Sequence, residues 1–225
     1  MPQPPFAGVA SLLGDPARAT MVEVMMDGAA HAAAELAEAA RVSAPTASAH
    51  LSKMAAAGLV AVEAAGRHRR YSLAGADVAA AVEALAALAP PPTEPRARMQ
   101  ALAEARTCYD HLAGRLGVAV ARSLVRRGAL ERSGDRFALT PSGRAYFTET
   151  LGVDVEAALR EKRPLARCCL DWTEREPHLA GALGAALARR CLEAGWVERR
   201  QASRALKVTS AGSSIFLSQF AFEPG

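Results

Sequence analysis

Residues 33–54, Ala33-Ala-Glu-Leu-Ala-Glu-Ala-Ala-Arg-Val-Ser-Ala-Pro-Thr-Ala-Ser-Ala-His-Leu-Ser-Lys-Met54, contain two helical patterns with a break between them. Ala33–Ala40 puts Leu36 and Ala40 on one helical face. Arg41-Val-Ser43 turns the chain, and a second helix begins at Ala44, with Ser43 able to cap it and Pro45 placed where its missing N–H costs nothing. In that helix Leu51, Met54 and Ala55 form the stripe expected to be buried, while Thr46, Ser48, Ala49, Ser52 and Lys53 lie on or near the outward face.

Short polar groups on an exposed second helix have the composition of a recognition helix, which enters the major groove of DNA with such side chains against the base edges. Ser43, Thr46, Ser48, His50, Ser52 and Lys53 are its candidate contacts. Downstream, Gly58-Leu-Val-Ala-Val-Glu63 reads as a helix stop and a strand, and Ala64-Ala-Gly-Arg-His-Arg-Arg-Tyr-Ser-Leu73 as a turn and a returning strand. The basic run on the bare sequence is equally a solvated hairpin face. Beside a helix-turn-helix, however, Arg67, His68, Arg69 and Arg70 form a wing placed for phosphates or the minor groove.

Working outward, the chain has 225 residues, enough for two parts. Its 51% hydrophobic content carries only 5% aromatics because alanine dominates, which favours a mainly α fold with short β-hairpins. The net charge of +4 is compatible with a phosphate-binding face but too mild to demonstrate one. No window approaches a membrane span, and Met1-Pro-Gln-Pro-Pro-Phe6 lacks the basic and apolar regions of a secretory signal, so the expected location is cytoplasmic. The four cysteines, two of them adjacent, lack the spacing of a disulfide scaffold and read as reduced thiols.

Helical and hairpin patterns run to about residue 89, where Ala89-Pro-Pro-Pro-Thr-Glu-Pro95 cannot continue a helix. The expected organisation is a winged helix-turn-helix over 1–89, a Pro-rich linker over 90–95 and a C-terminal half over 96–225, with helical periodicity resuming from Arg96 to Leu116. That half repeats itself: His111-Leu-Ala-Gly-Arg-Leu-Gly recurs as His178-Leu-Ala-Gly-Ala-Leu-Gly, and from His111 to Arg132, 12 of 22 positions match those 67 residues later. Leu139-Thr-Pro-Ser-Gly143 answers Val208-Thr-Ser-Ala-Gly212. Each copy, about 111–147 and 178–217, reads as a helix, a glycine, two short strands and a Thr-x-x-Gly helix start, a duplicated winged-helix-like unit.

Leu12-Leu-Gly-Asp-Pro-Ala-Arg18, Leu36-Ala37, Ser43-Ala-Pro-Thr-Ala-Ser-Ala-His-Leu51, Ala57-Gly-Leu-Val60 and Gly66-Arg-His-Arg-Arg-Tyr71 together resemble the winged helix of the arsenic-repressor (ArsR) family over residues 6–89. The resemblance implies a homodimeric repressor on an inverted-repeat operator in double-stranded DNA, with half-sites spaced about one helical turn. It also implies a dimer interface formed by the terminal helices, Phe6–Met26 and Asp77–Leu88.

Family members that sense arsenic, cadmium or lead carry Cys-x-Cys on the helix before the recognition helix. Here that helix reads Leu36-Ala-Glu-Ala-Ala40, and no cysteine precedes Cys108. Zinc and nickel sensors place Asp and His after the wing, whereas Asp77–Leu85 offers carboxylates without histidine. Any effector site is therefore expected in the C-terminal half, at Cys108, Tyr109, His111, Cys168, Cys169, Asp171, Trp172 and His178. Read as a helix, Cys108 and His111 share a face at i and i+3, and Cys168 or Cys169 with Asp171 and His178 would complete a soft-metal or haem site from the other repeat. Plain packing of small thiols and a pocket for an organic ligand are the competing readings, and the effector stays unidentified.

Catalysis has little to stand on, because no nucleophile elbow, phosphate loop, dinucleotide fingerprint or paired-histidine motif occurs, and a Cys-x-x-His without an orienting third group is weak. The expectation is a non-enzyme. An architectural DNA-binding protein without an inducer is the remaining alternative.

Overall fold

The computed structural model describes residues 6–66, 68–90, 97–201 and 203–224. The chain is mainly α with short antiparallel hairpins, and it divides into two compact units, Met1–Leu85 and Ala86–Gly225. Most of the Pro-rich linker expected over 90–95 falls outside the described residues. Among the described residues no helix is long and apolar enough to cross a membrane.

The first unit is a winged helix-turn-helix. The expected Phe6–Met26 helix is two, α1 (Ala7–Leu13) and α2 (Pro16–Met25), because Asp15 caps the second by accepting from Arg18 N–H at 3.0 Å ahead of Pro16. α3 (Ala33–Ala40) ends with Arg41 in the left-handed region, φ 55°. α4 (Ala44–Ala56) starts where Ser43 Oγ accepts from Thr46 N–H at 3.3 Å. A three-stranded sheet follows, with β1 (His31–Ala32) beside β3 (His68–Leu73), and β3 beside β2 (Val60–Ala65) in register from Val60–Leu73 to Ala65–His68. Met21, Met25, Leu36, Ala47, Leu51, Met54, Val60 and Tyr71 are buried together as the core, and α5 (Ala76–Leu88) ends the wing.

The second unit is built from two copies of one plan. The first runs α6 (Ala97–Glu104), β4 (Arg106–Cys108), β5 (His111–Ala113), α7 (Gly114–Arg126), β6 (Leu130–Ser133), β7 (Arg136–Leu139), and α8 (Pro141–Ala145), which continues as a π-helical turn to Thr150. The second runs α9 (Val155–Leu159), β8 (Arg167–Leu170), β9 (Pro177–Ala180), α10 (Gly181–Glu193), β10 (Val197–Arg199), β11 (Leu206–Val208) and α11 (Ser210–Phe220). The expected helical run from Arg96 to Leu116 is corrected here, because residues 106–113 form a hairpin that closes through Tyr109 at φ 60°.

The duplication extends to atomic detail. Thr140 Oγ1 donates to the Gly128 carbonyl at 2.7 Å, and Thr209 Oγ1 to that of Gly195 at 2.7 Å. Each threonine also caps its helix by accepting from the glycine N–H three residues on. A Cβ on Gly143 would stand 1.9 Å from the Ala129 carbonyl oxygen, and one on Gly212 would stand 1.9 Å from that of Trp196, so only glycine fits the Thr-x-x-Gly turn. α7 lies against β9 and α10 against β5, and the copies share one core that includes Leu116, Leu124, Phe147, Leu183, Cys191 and Phe216.

Candidate functional site

On α4 the apolar stripe Ala47, Leu51 and Met54 is buried, which leaves Thr46, Ser48, Ala49, Ser52 and Lys53 exposed. Ser43 is exposed too, and its hydroxyl lies 2.8 Å from that of Thr46, so both hydroxyls sit at the start of the helix. His50 departs from the expectation: its Nδ1 lies 3.1 Å from Arg18 Nη1 and it is half-buried, so this face of the ring joins α4 to α2. In the wing His68, Arg69 and Arg70 are exposed, and Arg70 donates to the Ala30 carbonyl at 3.0 Å, which leaves Arg69 and His68 more open to a polyanion. Arg67 lies outside the described residues.

In the second unit each copy sets a cysteine opposite a histidine across a hairpin. Cys108 pairs with His111 on β4–β5, and Cys169 with His178 on β8–β9. This corrects the helical i, i+3 reading of Cys108 and His111: they share a face as cross-strand partners. The two pairs meet. His111 Nε2 stands 3.1 Å from His178 Nε2, Cys108 Sγ stands 4.0 Å from Cys169 Sγ, and all four donor atoms lie within 4.8 Å of one another. Both imidazoles are buried, and their rings stack with centroids 5.0 Å apart. The approach requires two more glycines, since a Cβ on Gly117 or Gly184 would come within 2.5 or 2.4 Å of a β-strand carbonyl, Leu112 or Leu179.

Carboxylates stand behind both rings. Asp110 Oδ1 is 3.2 Å from His111 Nδ1, and Asp171 Oδ2 is 3.5 Å from His178 Nδ1, a buried nitrogen that makes no hydrogen bond. Each carboxylate also has a guanidinium partner: Asp110 accepts from Arg163, and Asp171 from the fully buried Arg106 at 2.9 Å. Burial pushes both carboxyls up. For Asp110 the Arg163 and His111 contacts outweigh it, and for Asp171 the charge of Arg106, the Thr173 hydroxyl and the Gly114 N–H hold it well below the usual range.

A helix-turn-helix domain family matches residues 13–63. An uncharacterised HTH-type transcriptional regulator of Bacillus subtilis strain 168, YdfF, is 43% identical over 222 residues, 95% of this chain and 96% of its own length. This chain belongs to the HTH-type transcriptional regulators. Among solved structures, the homodimeric winged helix-turn-helix domain of Mb0332 from Mycobacterium bovis, described as a possible ArsR-family regulator, is similar at 27% identity, covering 36% of this chain and 75% of that one, with a TM-score of 0.34. The cadmium sensor CMTR of Mycobacterium tuberculosis is similar at 30% identity over 40% of this chain and 95% of its own, with a TM-score of 0.32.

Of the eight effector candidates in the regulator's C-terminal half, the fold brings Cys108, His111, Cys169 and His178 together and sets the others aside. Cys168 is paired with Leu179 and, as neighbour of Cys169 on one strand, points to the opposite face; burial pushes its thiol up. Tyr109 is 75% exposed at the hairpin tip. Asp171 is the buried partner of Arg106 instead of a donor within the cluster, and Trp172 lies under that guanidinium at 5.1 Å. Asp110, which the sequence offers only as a possible catalytic partner of His111, and Arg163, which it does not single out, stand behind the cluster. The adjacency of Asp110 to His111 was the available signal for the first, and nothing local marks Arg163.

Proposed function

We propose that this regulator is a homodimeric repressor of the ArsR type, which binds an inverted-repeat operator through α4 and the β2–β3 wing and is released by a signal received in its C-terminal unit. The observation that carries this reading is the exposed row Ser43, Thr46, Ser48, Ser52 and Lys53 on the second helix of a helix-turn-helix, next to a hairpin bearing His68 and Arg69. Short hydroxyls and one lysine suit base edges and phosphates, and the wing suits the backbone. The exposed apolar groups Phe6 and Val9 by α1 and Leu85 on α5 suit a second copy as their cover.

The test is a binding titration of the full chain on the DNA upstream of its own gene across a salt series. Arg69→Ala is expected to weaken binding to every sequence and to flatten the plot of log affinity against log salt by about 0.9 per lost phosphate contact. Thr46→Ala is expected to change the preference between operator variants, by about 1–3 kcal/mol per lost base contact. An unchanged salt slope in Arg69→Ala removes the wing from the reading. Binding that stays tight whatever metal, oxidant or chelator is added favours an architectural role without release.

A further inference from the structure

We infer that Cys108, His111, Cys169 and His178 form a closed tetrahedral site for a divalent ion of the zinc class, which pins the two copies of the C-terminal unit together. In a tetrahedral site with metal–sulfur and metal–nitrogen bonds of about 2.3 and 2.0–2.1 Å, the two sulfurs stand about 3.8 Å apart and the two nitrogens about 3.3 Å apart. The observed separations are 4.0 and 3.1 Å. The sulfurs are also well beyond the length of about 2.05 Å of a disulfide.

The proton inventory of the imidazoles argues the same way. A carboxylate beside Nδ1 of each ring favours a proton on each Nδ1, which turns both Nε2 lone pairs toward the same point, 3.1 Å apart. Two lone pairs facing one another in a buried place repel. With both rings neutral, placing a proton on one Nε2 removes it from a buried Nδ1, and for His178 that leaves an acceptor facing Asp171. A cation at the meeting point lets both Nδ1–H groups face their carboxylates while both Nε2 atoms act as ligands. Carboxylate–histidine–metal chains of this kind orient ligands in known metal sites.

Charge favours a class of ion. Asp171 is offset by Arg106, and Asp110 faces an Arg163 that it shares with Glu161, so the surroundings supply no excess positive charge to balance two thiolates. Two thiolates and a divalent ion sum to zero, whereas a monovalent ion leaves a net negative charge beside two buried rings. Two sulfurs with two imidazoles suit zinc. Four protein donors leave no open position for water, which makes the site structural in kind, and four donors converging on one point leave no plane for a haem between two axial ligands. Binding releases the two thiol protons to solvent, and no bond other than those to the metal is made or broken.

The inference concerns the C-terminal unit and is tested without DNA, so it stands or falls apart from the operator-binding reading. Reduced full-length chain, stripped with a chelator, is titrated with cobalt(II) and then zinc(II). The expected result is one cobalt per chain, with the visible bands of a tetrahedral ion and a near-ultraviolet thiolate-to-cobalt band, both abolished by stoichiometric zinc. Cys108→Ser and Cys169→Ser are expected to lower affinity at least tenfold and to weaken the thiolate band, while Cys168→Ser leaves both unchanged. Far-UV circular dichroism verifies that each variant is folded. A folded wild-type chain that takes up neither ion overturns the inference, and so does a Cys168→Ser variant that loses the spectrum while Cys169→Ser keeps it.

Discussion

The two copies in the C-terminal unit start from the same Ala-Arg-x-Cys pattern and put it to different uses. Ala105-Arg-Thr-Cys108 opens β4 and Ala166-Arg-Cys-Cys169 opens β8, yet Arg106 is fully buried and Arg167 is exposed. The cause is the hairpin that follows. Two residues separate Cys108 from His111 but eight separate Cys169 from His178, and the added loop carries Asp171, whose carboxylate reaches across to Arg106, to the Gly114 N–H at 2.7 Å and to Thr173. The tight turn of the first copy does carry an acid, Asp110, but its carboxylate faces His111 and Arg163, and Arg167 stays at the surface. Backbone-defining contacts are held in common to a tenth of an ångström, while the loop differs in length and brings a buried ion pair with it.

The largest test of that contrast removes one partner of the pair. Asp171→Ala leaves the Arg106 guanidinium buried without its hydrogen-bonded carboxylate and is expected to cost about 3–5 kcal/mol in urea unfolding. A loss below about 1 kcal/mol would mean that water or another group can reach Arg106. The shared frame is probed by Gly143→Ala and Gly212→Ala, each of which forces a methyl to within 1.9 Å of a carbonyl oxygen. Both are expected to cost about 3 kcal/mol, and a clearly cheaper substitution in one copy would show that its turn is the softer of the two.

A third difference lies in the core, where Leu124 of the first copy is matched by Cys191 in the second. Burial pushes the Cys191 thiol up to about 12. The folded chain keeps it protonated while the unfolded chain ionises it above 9.0, so its contribution is full below about pH 9 and is lost as pH rises toward 12. The expected slope is about 1.4 kcal/mol per pH unit, read as the difference between wild type and Cys191→Ala over that range. Parallel curves would contradict the burial argument. The smallest effect belongs to Arg167→Ala, expected to change stability by no more than about 0.5 kcal/mol.

The helix-turn-helix was legible because each boundary has a local cause: Ser43 and Pro45 start α4, and the stripe Leu51–Met54 orients it. His50 was not, since its tie to Arg18 joins residues 32 apart. The duplication was visible through its glycines and Thr-x-x-Gly turns, but only from His111 onward, because six extra loop residues shift the spacing of the upstream Ala-Arg-x-Cys from 67 to 61. The Cys-x-x-His spacing at 108–111 fits a helix as well as a hairpin, and the turn uses Tyr109 at positive φ where a glycine would have signalled it. Four of the cluster's residues were named from sequence, yet their convergence depends on the two copies facing each other, which no local pattern encodes.

The reciprocal packing of α7 on β9 and α10 on β5, in which Gly117 lies by His178 and Gly184 by His111, is the contact pattern of an isologous interface, where one surface meets its own image. Held in a single polypeptide, that symmetry no longer binds both partners to the same sequence. One hairpin can lengthen and acquire an acid while its twin stays short, a freedom that two identical subunits, obliged to change together, do not have.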